Sequence, residues 1–336
     1  MKNKLTSAFL LIFISTSVFA QNQSNVEEKF TPNGKPIVTV FSDFSNSTSS
    51  GKSNNAFEVS RAYFGYGYNF SRDFSGKVVF DIAGSAGLNP SAFTAFLKNA
   101  YAEYSHGMVK ADLGMIGTSM FSLQESFWGK RYMYKSFQDQ YGFGNSADLG
   151  AKVNLQFIPE LSLDLAVYNG EGYKKVQADS TMQFAIGLTA QPIKNLYARV
   201  YYDYMNKQSY ASSKVAQSSF NVFVGYKSDK ATLAAEYNTQ MGNKNTADHN
   251  WSGLSVYGTL PFAKQFTAIA RFDDLMSTKV GTATTGWNTS TDGQVYMAGI
   301  EYTPVKGIQL TPNYRYSSLT SGTTASSINL SVGMNF

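Results

Sequence analysis

Along most of this chain apolar and polar residues alternate with a period of two. Leu149, Ala151, Val153, Leu155 and Phe157 share one parity, and Asp148, Gly150, Lys152, Asn154 and Gln156 share the other. Pro159 and Glu160 then turn the chain. After them Leu161, Leu163, Leu165 and Val167 alternate with Ser162, Asp164, Ala166 and Tyr168. Successive side chains of a strand point to opposite faces, so this pattern predicts a hairpin with one greasy and one wet side.

The pattern repeats downstream. Phe184 to Ala190 lead through Pro192–Asn195 into Leu196 to Tyr204. Phe220 to Tyr226 lead into Ala231 to Tyr237, Leu254 to Leu260 into Phe266 to Phe272, and Tyr296 to Tyr302 into Ile308 to Tyr316. Ile328, Leu330, Val332, Met334 and Phe336 come last. Upstream the signal is noisier: Ala62 to Tyr68 pair with Val78 to Ile82, and Ala100 to Tyr104 with Val109 to Met115. A first strand covers Ile37 to Phe44, its facing left open. Two charges, Glu58 and Lys98, fall on the apolar parity near strand tops. The sum is sixteen strands, with short turns and long polar loops alternating without exception.

Strands of roughly 9–11 residues suit a tilted bilayer crossing. An even count puts both termini on one side and lets the first strand pair with the last, leaving no open edge in hydrocarbon. The predicted fold is therefore all-β, a transmembrane antiparallel up-and-down β-barrel. A soluble sandwich or propeller also alternates, but a sandwich faces its apolar side inward and has fewer strands. Tyrosines group at two levels, as membrane interfaces favour: Tyr202, Tyr204, Tyr237, Tyr314 and Tyr316 at outer ends, and Tyr66, Tyr68, Tyr104, Tyr226 and Tyr302 at inner ends.

Composition sharpens this. Charged residues and aromatics each make up 15% of the chain, and cysteine is absent. Mean hydropathy is slightly negative. Lys2 and Lys4, the apolar run Leu5 to Phe13, and Val18 and Ala20 ahead of Gln21 read as a cleaved export signal. The expected organisation is a signal peptide over 1–20, a short periplasmic segment over 21–35 and a barrel over 36–336. Without the two signal lysines, 26 basic residues face 23 acidic ones, too small an excess to imply nucleic acid. No metal-ligand cluster or phosphate loop stands out. Ser/Thr/Asn-rich runs are short, as at Ser45 to Asn55.

Sixteen strands enclose an aqueous channel, so something must narrow it. Gly117 to Ser146 follows the fifth strand, lacks alternation and exceeds ordinary loop length. Its Phe121, Phe127, Trp128, Tyr132, Tyr134, Phe137 and Tyr141 would be poorly accommodated in water. The expectation is that it folds inward, with Glu125, Lys130, Arg131, Lys135 and Asp139 lining the gap. By parity the lumen wall carries Arg61, Lys77, Lys110, Lys152, Arg199, Lys227, Arg271 and Arg315 against Asp81, Glu103, Asp112, Asp148, Asp164, Asp203, Glu236, Asp273 and Glu301. Opposed signs across a lumen give a transverse field that favours small polar solutes.

The last strand ending in Phe336, the run Tyr168-Asn169-Gly170-Glu171-Gly172-Tyr173 and the long insertion resemble bacterial outer-membrane porins, in particular the phosphate-selective porin O and P family. The strand grammar covers almost the whole mature chain. The resemblance implies a homotrimer in outer-membrane lipid, a third loop folded into the lumen, and Phe336 as a signal read by the barrel-assembly machinery. It implies diffusion of small hydrophilic solutes, without cofactor, metal or catalysis. The sequence departs from that family in lacking a pronounced Arg/Lys ladder, which weighs against phosphate selectivity. Rival functions are a barrel hydrolase, for which His106 and His249 are the available imidazoles, and a structural or adhesive barrel. A carrier of apolar molecules would need a plug, and Gln21 to Lys35 is too short and polar to form one.

Overall fold

A computed structural model describes residues 30–84, 92–178, 180–207 and 214–336. The export signal expected over 1–20 lies outside the described residues. Residues Pro32–Phe336 form one compact unit. Its strands are β1 (Asn33–Ser49), β2 (Lys52–Asn69), β3 (Phe74–Gly84), β4 (Phe93–His106), β5 (Val109–Gly117), β6 (Ala147–Ile158), β7 (Leu161–Tyr168) and β8 (Gln183–Ile193). They continue as β9 (Leu196–Met205), β10 (Gln217–Lys227), β11 (Thr232–Met241), β12 (Trp251–Ala263), β13 (Phe266–Ser277), β14 (Gly293–Tyr302), β15 (Ile308–Leu319) and β16 (Thr324–Asn335). Each pairs with its neighbours in sequence, and β1 pairs antiparallel with β16, so the sheet is a closed barrel of sixteen strands. Among the described residues no helix is long and apolar enough to cross a membrane; the strands do that work.

The two faces follow the alternation. Leu149, Val200 and Val224 point outward, 45–47% exposed, while Asp203, Asp273 and Ser331 point inward and are fully buried. Leu163 shares the outward face and Asp164 is buried on the inner one. Such an apolar outside requires hydrocarbon around it. In β1 the open question of facing resolves: Phe41 and Asp43 look inward, where they line a cavity with Arg61.

Two expectations need correction. Loops do not alternate in length without exception. Ser45 to Asn55 is no loop but the top of the β1–β2 hairpin, closed by Ser50 and Gly51 alone at φ of 49° and 76°. Two successive left-handed residues make the tight turn whose twist matches paired strands. The loop from β15 to β16 is also short. The second correction concerns Glu58 and Lys98, which do not face lipid. A register shift between Phe41 and Ser42 leaves Ser60 as a bulge in β2, its hydroxyl donating to the Phe41 carbonyl at 3.3 Å. Another between Val79 and Phe80 leaves Lys98 as a bulge in β4. One extra residue inverts the parity beyond it. Phe57, Val59 and Leu97 therefore look out, while Glu58 and Lys98 look into the barrel.

Candidate pore constriction

Between β5 and β6 the chain runs through two short helices, α1 (Ser122–Trp128) and α2 (Phe137–Tyr141). Gly129 and Gly142 end them in the left-handed conformation, reversing the chain sharply each time. The segment lies inside the barrel, and its aromatic rings are buried against the inner wall. Phe127 packs edge-on to Phe223 at 5.0 Å, Trp128 to Tyr257 at 5.3 Å, and Phe143 stacks on Trp251 at 4.7 Å. Three inward-facing glycines receive rings: a Cβ at Gly225 would sit 2.6 Å from Phe127, at Gly253 2.3 Å from Phe137, and at Gly333 2.9 Å from Tyr132. The wall is sculpted for this loop.

Polar anchors tie it at many points. Lys130 Nζ donates to both oxygens of Glu301 at 2.8 and 2.7 Å, and the Tyr132 hydroxyl donates to Glu301 Oε2 at 2.5 Å. Burial, and then the charge of Glu301, push the Tyr132 phenol well above its ordinary range, which keeps it a donor. Wall cations reach loop carbonyls: Arg199 that of Ser119, Arg271 that of Lys135, Arg315 that of Met133 and Lys227 that of Ser126. Tyr257 donates to the Gln124 carbonyl at 3.0 Å, and Gln138 to Asn238 at 2.9 Å.

Within the loop Arg131 holds Glu125 at 3.1 Å and Asp139 at 2.6 Å. Burial would raise the Asp139 carboxyl, but Arg131 and then Lys135 outweigh it and hold the group below the usual 3.8. Arg131 also donates to the Tyr63 hydroxyl at 3.2 Å, as do Arg61 at 3.3 Å and Lys98 at 3.1 Å. Three cations from β2, β4 and the loop thus converge on one phenol oxygen. Lys174 approaches the Tyr173 and Phe96 rings beside this cluster.

The remaining wall charges stand on the inner face largely as pairs. Arg61 holds Asp81 at 3.1 Å, Lys110 Glu103 at 2.8 Å, Lys152 Asp112 at 3.2 Å, Arg199 Asp164 at 2.8 Å and Arg271 Asp273 at 2.8 Å. Asp148 accepts from the backbone of Leu149 and Gly170. Asp203 and Glu236 are buried on the inner face, Glu236 accepting from Asn238 at 3.1 Å. Lys77 lines a separate polar cavity with Lys35 and Tyr101. Paired charges cancel at short range, so a balanced count of wall charges overstates the transverse field.

No protein-family model matches this sequence, and none of the curated proteins does. Solved structures do. The outer-membrane channel DcaP of Acinetobacter baumannii superposes with a TM-score of 0.66 at 16% identity, covering 91% of this chain and 97% of that one. OmpF of Salmonella typhi, in a complex with daunomycin, gives 0.69 at 12% identity over 90% and 97%. The fold is the porin fold. An anion-selective porin from Comamonas acidovorans gives 0.64 at 10% identity over 91% and 100%. At such identities the likeness concerns architecture alone.

On this porin fold several residues of the candidate site escape sequence reasoning. Tyr63 looks like strand filler, and Lys98 like an interface charge. Gly225, Gly253 and Gly333 carry no signal of their own. The bulges are the one feature that leaves a trace, since charges on an apolar parity at Glu58 and Lys98 ask for a phase change. The two histidines sit apart. His106 Nδ1 lies 3.2 Å from Asp73 at a short turn, and His249 stacks on Trp287 with ring centroids 4.4 Å apart.

Proposed function

We propose that this chain is a porin of the bacterial outer membrane, a water-filled channel for passive diffusion of small hydrophilic solutes and ions. The observation that carries the reading is the loop after β5, clamped across the inside of a closed barrel by Lys130–Glu301, by Arg131 and by its buried aromatic rings. A loop held so firmly sets the width of the passage, and Glu125, Lys130, Arg131, Lys135 and Asp139 form the constriction. The polarity around it favours a weak anion preference. Arg61, Lys98, Arg131, Lys135, Lys174 and Arg315 gather here against Asp81, Glu125, Asp139, Glu58 and Asp43. One positive charge is left over in a narrow passage, and salt screens its effect.

The reading extends to a cleaved signal peptide, a homotrimer in outer-membrane lipid, and Phe336 as the signal for the barrel-assembly machinery. Phe336 is exposed at the end of the last strand, and its N–H donates to Val38 at 3.0 Å. Deleting it is expected to lower the yield of heat-modifiable barrel without affecting export; unchanged yield would refute that role. Single-channel recording in a planar bilayer under a salt gradient tests the main proposal. Stepwise conductance with a reversal potential slightly toward anions is expected, and higher conductance when residues 122–141 are shortened. A folded barrel without conductance would overturn the porin reading.

A further inference from the structure

One cavity of about 370 Å³ stays open beside the clamped loop. Its wall brings together β1, β2 and the loop itself: Phe41, Asp43, Glu58, Arg61, Arg131 and Lys135. Arg61 and Arg131 already hold carboxylates. Glu58 and Lys135 are held less closely: Lys135 acts on Asp139 without a direct ion pair, and Glu58 has no cation at ion-pair distance. Among the described residues no ion pair or hydrogen bond engages the Glu58 carboxylate or the Lys135 ammonium, and the two do not pair with each other. Asp43 stands beside Glu58, with only a distant cation, Arg315 at 4.0 Å.

Opposite charges that line one confined space yet stay unpaired leave a field across it, stronger than the same charges would give in open water. A neutral solute gains little from that field. An ion of either sign is drawn to one wall and repelled by the other. A solute with an ammonium and a carboxylate a few bonds apart is matched at both ends. We propose that this cavity is a subsite for zwitterionic solutes, α-amino acids and short peptides, with the ammonium toward Glu58 and Asp43 and the carboxylate toward Lys135. The proposal rests on the porin reading and adds a substrate class to it. The β2 bulge is what makes it possible, because without it Glu58 would face outward.

Swelling of proteoliposomes carrying the purified full-length barrel decides this. Glutamine, a zwitterion, is compared with arabinose, a neutral solute of similar mass, and with glutamate and lysine. Glutamine is expected to enter about twofold or more faster than arabinose. In Glu58→Gln and in Lys135→Gln, each checked for heat-modifiable mobility, the glutamine-to-arabinose ratio falls to about one. A ratio of one in the unmodified protein overturns the proposal. So does a ratio that survives both substitutions, or one that Lys135→Gln alone abolishes, which would mark a simple anion site. Failure of arabinose itself to enter would remove the porin reading, and this inference with it.

Discussion

Replacing Lys130 by alanine tests whether the loop is a rigid constriction or merely rests in the lumen. Lys130 makes two charged hydrogen bonds to Glu301, whose side chain is 7% exposed. Hydrogen bonds to charged groups contribute about 1.5–3 kcal/mol, and removing one partner of a buried pair costs about 3–5 kcal/mol. Tyr132 still donates to Glu301 in the variant, and Lys130 is itself 16% exposed, so the lower part of that range applies. A loss of about 2–4 kcal/mol shifts the clamped-to-released equilibrium on the order of a hundredfold. Single-channel records are expected to show added flicker and excess open-channel noise, and hydrogen exchange to quicken over residues 129–135. The double variant Lys130→Met with Glu301→Met, which leaves no orphan carboxylate, is expected to be quieter than Lys130→Ala. If Lys130→Ala matched the unmodified protein in both noise and exchange, the clamp would contribute nothing to holding the loop.

Leu163→Arg places a charge on the outward face and is expected to cost about 2–4 kcal/mol near the midplane, read as a lowered unfolding midpoint in lipid; no change would mean the facing is wrong. Lys98→Glu removes one of three cations around Tyr63, so the reversal potential is expected to move toward cations; a lipid-facing Lys98 would leave it untouched. Gly253→Leu drives a side chain into Phe137 and is expected to destabilise the packed loop by about 1–3 kcal/mol, raising conductance and loosening residues 137–143. Unaltered conductance there would refute the socket.

Where lipid meets the outer wall and water the inner, the sequence is easy to read. Leu163 beside Asp164, or Val200 beside Arg199, state their facing through polarity alone. The reading fails where that contrast disappears. The upper β1–β2 hairpin, Ser45 to Asn55, is polar on both faces, so no alternation betrays its strands. The bulges at Ser60 and Lys98 invert the phase in one step, and a parity count that runs through them assigns Glu58 and Lys98 to the wrong side. The inward course of the loop was legible from its excess of aromatics. Its seats were not, because Gly225, Gly253 and Gly333 matter by what they lack. The pairing of wall charges depends on which strands adjoin and on side-chain reach across the ladder. That is why Arg61 with Asp81, or Lys152 with Asp112, emerges only in three dimensions.

The ladder between β1 and β16 carries a consequence for how the molecule is made. Thr39 donates to Asn335 across 296 positions of chain, whereas every other ladder joins strands adjacent in sequence. Bringing such distant segments together costs about 5 kcal/mol of chain entropy on a logarithmic scale, far more than closing a two-residue hairpin. This seam is therefore the last to zip. Until it does, β1 and β16 both present unpaired edges that would recruit strands from other chains. A polypeptide that lacks β16 is left with that hazard permanently. β16 thus acts as the clasp of the barrel, and its emergence sets the earliest moment at which this seam can close.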